Sequence, residues 1–301
     1  MKKDAMDLKK YLVNRCALVD RALDKLMPPK EEYPSIINQA MRYSVFAGGK
    51  RIRPVLVIMA AEALGYRAER VMPTACALEL IHTYSLIHDD LPCMDDDSYR
   101  RGKLTNHKVY GENIAVLGGD GLLTLAFELI EKNSEVKGVK PKSVLRALQL
   151  IAEGAGTHGM VGGQVVDVLS ENKKISEPVL QYIHTHKTGA LIRASILSGA
   201  VLCDASKRQF AALKSYGEHI GLVFQIVDDI LNVTGDARKL GKAVGSDAAR
   251  KKVTYPGLYG LEQSRAEVEL LSEKARLAIK VFGKKAGALN ALIEYLKERD
   301  A

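Results

Sequence analysis

Apolar residues recur at three- and four-residue intervals along most of the chain, the period of a helix buried on one side. The pattern predicts a first helix over residues 4–27, with Leu8, Leu12, Ala17, Leu23 and Leu26 on related faces, stopped by Pro28 and Pro29. A second spans 34–46 and ends at Gly48-Gly49; a third spans 55–64 behind Pro54, and a fourth 73–90. Helices over 113–131, 143–169, 176–202 and 263–299 follow, the last broken near Gly283, with a solvated loop at 133–142. The stretch 143–169 carries Gly154, Gly156, Gly159, Gly162 and Gly163. Each glycine costs roughly 1 kcal/mol in a helix, so the run implies close packing or a wall facing a ligand. No stretch alternates as a strand does, and no Pro/Gly/Ser-rich linker divides the chain. The expected fold is all-α, a single domain over 1–301, built as an antiparallel bundle with a site formed inside by facing helices.

The polar positions that interrupt this pattern carry the chemistry. Asp89, Asp90, Asp95, Asp96 and Asp97 crowd into nine residues directly behind an apolar helix, and Arg100 and Arg101 follow at once. Carboxylates so close repel one another unless a cation sits among them. A hard ion such as Mg2+ suits them, held by one or two carboxylates with phosphate oxygens completing its shell. The arginines then offer bidentate contacts to the remaining phosphate oxygens. Pro92 should break the helix, and an ideal helix would rotate Asp95 away from Asp89. The spacing therefore predicts a broken turn that brings both to one place.

A second acidic pair lies in another apolar run. Gln225, Asp228, Asp229 and Asn232 share one narrow face of a helix, with Val223, Phe224, Val227 and Ile230 around the rest. Two carboxylates on such a helix need a partner, and an ion shared with the first cluster is the simplest. Lys50, Arg51 and Arg53 stand beside a helix start, a ready diphosphate cradle. His82, Ser85 and Asp89 form one stripe of the fourth helix. Lys187-Thr188-Gly189 reads as a kink that presents Lys187 and the Thr188 carbonyl to a cavity, and Gln164 and Asp167 stand one turn apart. Residues 236–252 carry six basic groups, Lys242 and Lys252 among them, and read as a lid over a diphosphate.

Composition narrows the classes. The net charge of +8 comes without a basic run or nucleic-acid motif, and Trp is absent with aromatics at 6%, so base-stacking platforms are excluded. Phosphorylated small molecules account for the basic surplus. Cys16, Cys76, Cys93 and Cys203 show neither metal-ligand spacing nor a disulfide framework. The first ten residues are charged throughout, and no run of 18 apolar residues exists. The expectation is a cytoplasmic protein with no membrane span.

Taken in order, these motifs resemble those of the trans-isoprenyl diphosphate synthases, the farnesyl and geranylgeranyl diphosphate synthases. The likeness runs from about Ile37 to Arg299. It rests on Gly48-Gly-Lys-Arg-Ile-Arg-Pro54, on Asp89-Asp-Leu-Pro-Cys-Met-Asp95 with Arg100-Arg101, on Gly163-Gln-Val-Val-Asp167, on Lys187-Thr-Gly189, and on Phe224-Gln225 with Asp228-Asp229. The resemblance implies an isoprenoid-synthase-type bundle that joins isopentenyl diphosphate to an allylic diphosphate in a trans 1′-4 condensation. It implies three Mg2+ ions on Asp89, Asp90, Asp95 and Asp228. Arg100, Lys187, Thr188, Gln225, Lys242 and Lys252 would handle the allylic group, with Arg100, Lys187, Thr188 and Gln225 catalytic. Lys50, Arg53, His82 and Arg101 would hold isopentenyl diphosphate. It also implies a homodimer.

The second motif departs from the family pattern, which ends in aspartate where this chain has Asn232, so Asp228 is the safer ligand. Tyr84, five positions before the first aspartate, together with the inserted Pro92-Cys93, resembles the bacterial farnesyl synthases and favours a C15 product. The ideal helical wheel aligns Ser85 better with Asp89, and a C20 product is the alternative. A terpene cyclase and an inactive partner subunit are weighed against these; the basic site at Lys50, Arg53 and His82 disfavours the first, and two intact aspartate pairs disfavour the second.

Overall fold

The computed structural model describes residues 6–234 and 253–299. Its order is α1 (Leu8–Leu26), α2 (Ser35–Val45), α3 (Ile52–Ala63), α4 (Met72–Asp89), β1 (Tyr99–Arg100), β2 (Lys103–Leu104), α5 (Asn106–Tyr110), α6 (Glu112–Glu131), α7 (Pro141–Ala155) and α8 (Met160–Ser170). After these come α9 (Glu177–Ile183), a π-helical turn (His184–Gly189), α10 (Ala190–Leu202), α11 (Lys207–Thr234), α12 (Tyr255–Tyr259), α13 (Leu261–Ala278) and α14 (Gly287–Glu298). The all-α expectation holds.

Local chemistry explains most boundaries. Asp7 caps α1, its side chain accepting from the Lys10 N–H at 3.0 Å, and α1 stops at Met27 ahead of the two prolines. Gly48 and Gly49 turn the chain with φ of 101° and 127°, conformations that side chains resist. Two predicted helices prove composite. Residues 143–169 form α7 and α8, separated at Gly156–Gly159 where the glycines concentrate. Residues 176–202 contain the π turn, the kink expected at Lys187-Thr188-Gly189. The hairpin β1–β2 was not legible, because each strand has only two residues. Its turn places Arg101 and Gly102 both at positive φ (53° and 75°), the twist that closes a tight hairpin.

Helices α3, α4 and α10 are apolar on nearly every face and form the interior. One apolar cluster joins α2, α4, α6 and α7; another joins α3, α10, α11, α13 and α14. Tyr216 of α11 is wholly buried in the second cluster and donates its hydroxyl to the Leu289 carbonyl at 2.9 Å, tying α11 to α14. Left unpaired, that hydroxyl would cost about 1–3 kcal/mol. Helix α6 with its continuation to Glu135 is long and apolar enough to cross a bilayer, although the sequence holds no unbroken run of 18 apolar residues. It packs instead on α2 and α4 as part of the bundle.

Candidate active site

A cavity of about 810 Å³ opens between α4, α8, the π turn and α11. The α4 helix ends at Asp89, and the chain then folds back on itself: the Asp95 N–H donates to the Asp89 carbonyl at 2.8 Å, and Asp96 N–H to the Leu91 carbonyl at 3.1 Å. The expected broken turn is thus present, and Asp89, Asp95 and Asp97 all line the cavity. Burial pushes the Asp89 carboxyl above its ordinary pKa; Lys187 and Arg100 pull it down, while Asp95 and Asp90 add to the rise. Desolvation, more than the neighbouring charges, sets this direction.

Asp90 behaves differently. It is buried, and Arg100 grips it through Nε at 2.7 and 2.9 Å and through Nη2 at 2.5 Å. Burial raises its pKa, and the arginine offsets only part of that. The cavity wall therefore takes in Arg100 and not Asp90, which was expected to ligate metal. Adjacent residues on a helix point about 100° apart, so both cannot face one ion.

Another part of the cavity lining is basic. Arg53 and His82 line the cavity. Arg53 Nε is buried with no hydrogen-bond partner among the described residues, and burial lowers its pKa to about 10, with Glu79 raising it and Arg101 lowering it further. His82 sits well below its ordinary value, from burial first and then from Arg53, Arg101, Arg100 and Arg51. An orphaned guanidinium beside a neutral imidazole in a positive field suits an anion. Arg101 reaches across to the Gly48 carbonyl, above the turn that carries Lys50. Arg51 does not join this wall. It turns inward to Glu79 at 2.7 Å, Asp20 at 2.8 Å and the Val45 carbonyl at 2.6 Å. Burial alone would lower the Arg51 guanidinium, but Glu79 and Asp20 together hold it above its ordinary pKa.

The π turn supplies the third side. Gly163 of α8 and Gly221 of α11 let it approach closely: a Cβ on Gly163 would lie 2.1 Å from the Lys187 nitrogen, and one on Gly221 2.9 Å from the Gly189 Cα. Lys187 reaches Asp167 at 2.6 Å, a pairing the sequence reading missed in setting Asp167 against Gln164. Thr188 donates its hydroxyl to Gln225 Oε1 at 2.9 Å, and Gln225 donates in turn to Asp229 Oδ1 at 2.9 Å. Asp229 is buried, also accepting from the Tyr255 N–H at 2.8 Å and lying 3.3 Å from His184 Nε2. Asp228 lines the cavity and pairs with Arg299 at 2.7 Å. The sequence offered no signal for Arg299, since its helix reads as scaffold. Tyr84 and Ser85 both line the cavity's far side, and Tyr84 meets His88 edge to face at 5.7 Å between centroids. Lys242 and Lys252, with the rest of the basic stretch 236–252, lie outside the described residues.

Among the described residues no three acidic, histidine or cysteine side chains converge tightly enough to cage an ion unaided. Mg2+ needs only one or two carboxylates when phosphate oxygens complete its octahedron. Asp89 and Asp95 on one wall and Asp228 on another helix, all in one cavity with the Asp89 carboxylate destabilised by burial, fit that demand.

Residues 34–292 match the family described as Polyprenyl synthetase. The chain is 46% identical over 299 residues to the large subunit 1 of the heterodimeric chloroplastic geranylgeranyl pyrophosphate synthase of Arabidopsis thaliana, covering 98% of this chain and 80% of that protein. It is 45% identical over 291 residues to the geranylgeranyl diphosphate synthase of Cyanophora paradoxa, covering 96% of each. An apo crystal structure of an FPP/GFPP synthase from Zymomonas mobilis superposes with a TM-score of 0.85 at 35% identity, over 97% of this chain and 99% of that one. Sequence and fold agree, and the chain belongs to the polyprenyl synthetase family, the trans-isoprenyl diphosphate synthases.

Proposed function

We propose that this prenyltransferase condenses isopentenyl diphosphate with allylic diphosphates and that its end product is the C20 geranylgeranyl diphosphate. The observation that supports the reaction is a single cavity with two unlike anion sites: a carboxylate side at Asp89, Asp95 and Asp228, and a basic wall at Arg53 and His82. The first suits a metal-bound diphosphate, the second a diphosphate held without metal. Asp89, Asp95 and Asp228 would hold Mg2+, which when bound supplies the charge that draws off the leaving diphosphate. Lys187 and Arg100 hold phosphate oxygens beside it. Thr188 and Gln225, locked to each other and to Asp229, present fixed oxygens to the cationic carbon left behind. Arg53 and His82, with Lys50 and Arg101 at the rim, orient isopentenyl diphosphate so its double bond meets that carbon. The departing diphosphate takes the final proton.

The sequence reading put the C15 product first; the names of the relatives, geranylgeranyl synthases at 45–46% identity over nearly the whole chain, favour C20. Tyr84 supports C15 as the second reading, because it lines the cavity, and an aromatic side chain there would limit the room for a growing chain. Burial gains roughly 0.8 kcal/mol per methylene, so an open pocket favours growth and an aromatic stops it by exclusion. A second copy of the chain is the proposed partner, supported by Val116, Leu117 and Phe127 standing exposed on α6.

The test is chromatography of dephosphorylated products from the purified chain with labelled isopentenyl diphosphate and each allylic primer. C20 from all primers is expected; under the C15 reading, Tyr84→Ala should instead lengthen the product while sparing the first condensation. Accumulated C15 would restore the second reading. Consumption of an allylic diphosphate alone would identify a cyclase instead.

A further inference from the structure

The C-terminal helix α14 enters the active site at one point. Arg299, directly after it, is almost fully buried in its side chain, at 9% exposure. Its guanidinium lies over the Phe224 ring, 5.0 Å from the centroid, and Nη2 donates to Asp228 Oδ1 at 2.7 Å. Phe224 and Asp228 are one turn apart on α11, so ring and carboxylate hold the guanidinium at two points. Asp228 lines the cavity and Arg299 does not; the arginine reaches the carboxylate from behind the wall.

We propose that Arg299 is a positioning residue for the second metal-binding motif. In the metal-free protein it neutralises Asp228 and keeps that carboxylate aimed at the cavity, and it gives way when a divalent cation arrives with diphosphate. The inference rests on the metal role proposed above for Asp228. The physical reason is competition. An oxygen that accepts a charge-assisted bond from a guanidinium is a weaker ligand, and two cations a few ångströms apart repel through a partly dry wall. Metal binding at Asp228 is thereby coupled to the docking of α14, which packs on α11 and, through Tyr216, receives a hydrogen bond at Leu289. A merely structural arginine predicts the opposite sign, since its loss would disorder the site and weaken every ligand.

The experiment is calorimetric titration of the full chain with Mg2+ and inorganic pyrophosphate, for wild type, Arg299→Gln and Arg299→Lys. Arg299→Gln is expected to bind about fivefold more tightly, the scale of a part-exposed ion pair, and Arg299→Lys to match wild type. The metal-free melting temperature of Arg299→Gln should fall. Hydrogen exchange in the last turn of α14 should rise in wild type when Mg2+ and pyrophosphate are added. Unchanged or weaker binding in Arg299→Gln, in a protein that still melts cooperatively, overturns the proposal. A wild-type chain that binds no Mg2+–pyrophosphate overturns the metal assignment of Asp228 itself, which is a separate result.

Discussion

The aspartate pairs of α4 and α11 look alike in sequence, yet Asp90 is buried away from the cavity that Asp89 lines, whereas Asp228 and Asp229 both line it, Asp229 almost fully buried. Asp90 is closed off by three contacts to Arg100, while Asp229 is held at the cavity wall by Gln225, the Tyr255 backbone and His184. Asp89 and Asp228 differ as well. Asp89 shares its corner with Asp95 and is lifted in pKa by burial, and Lys187 and Arg100 offset that only in part. Asp228 has a cation of its own in Arg299. Asp89 thus owes its raised pKa to burial, with Lys187 and Arg100 drawing it back, while Asp228 has a counter-charge in direct contact. In the first motif one aspartate faces the cavity and its neighbour is anchored behind the wall.

The largest effect that tests this division is at Asp89. Asp89→Ala should lower condensation by roughly a thousandfold, the scale of losing preorganised charge stabilisation, with the fold intact. Turnover near wild type at saturating Mg2+, measured with labelled isopentenyl diphosphate, would remove the ligand role. Asp90→Asn should act through stability instead, costing about 3 kcal/mol because it strands part of a buried charge pair. Denaturant unfolding measures that loss. A Mg2+–pyrophosphate affinity that falls as far as in Asp89→Ala would make Asp90 a ligand after all.

At the second motif, Asp228→Asn should slow turnover far more than Asn232→Asp changes it, because only position 228 loses a charge from the cavity wall. Equal effects in steady-state kinetics would promote Asn232 to a direct ligand. The smallest effect concerns pH. The folded pKa of Asp89 is raised, so its contribution to metal-free stability is present below the ordinary value of 3.8 and is lost as pH rises through the folded value. Melting curves above pH 3.8 without metal should show that decline in wild type and a flatter one in Asp89→Asn. Parallel curves would mean that burial does not disfavour the Asp89 carboxylate.

Several site features were legible because they rest on short-range rules. Pro92 behind an apolar run signals a broken turn, and that turn brings Asp89 and Asp95 together. The lysine-threonine-glycine run inside a long helix signals an irregularity, which is the π turn. Other features were not legible. Arg51 and Arg53 are two residues apart in a basic run, yet one is spent on buried Glu79 and the other faces the cavity. Asp167 reads as a partner for Gln164 and instead meets Lys187, twenty residues away on another element.

The sequence by itself determined the helices, their breaks at proline and glycine, and the inventory of carboxylates and cations, because periodicity and turn chemistry act within a few residues. Only the tertiary structure decided which partner each aspartate meets. That choice depends on where a guanidinium arrives: from a hairpin ten residues on for Asp90, and from a helix end seventy-one residues on for Asp228. Charges interact through space across such distances in sequence, and a buried carboxylate takes whichever partner the packed helices bring within reach.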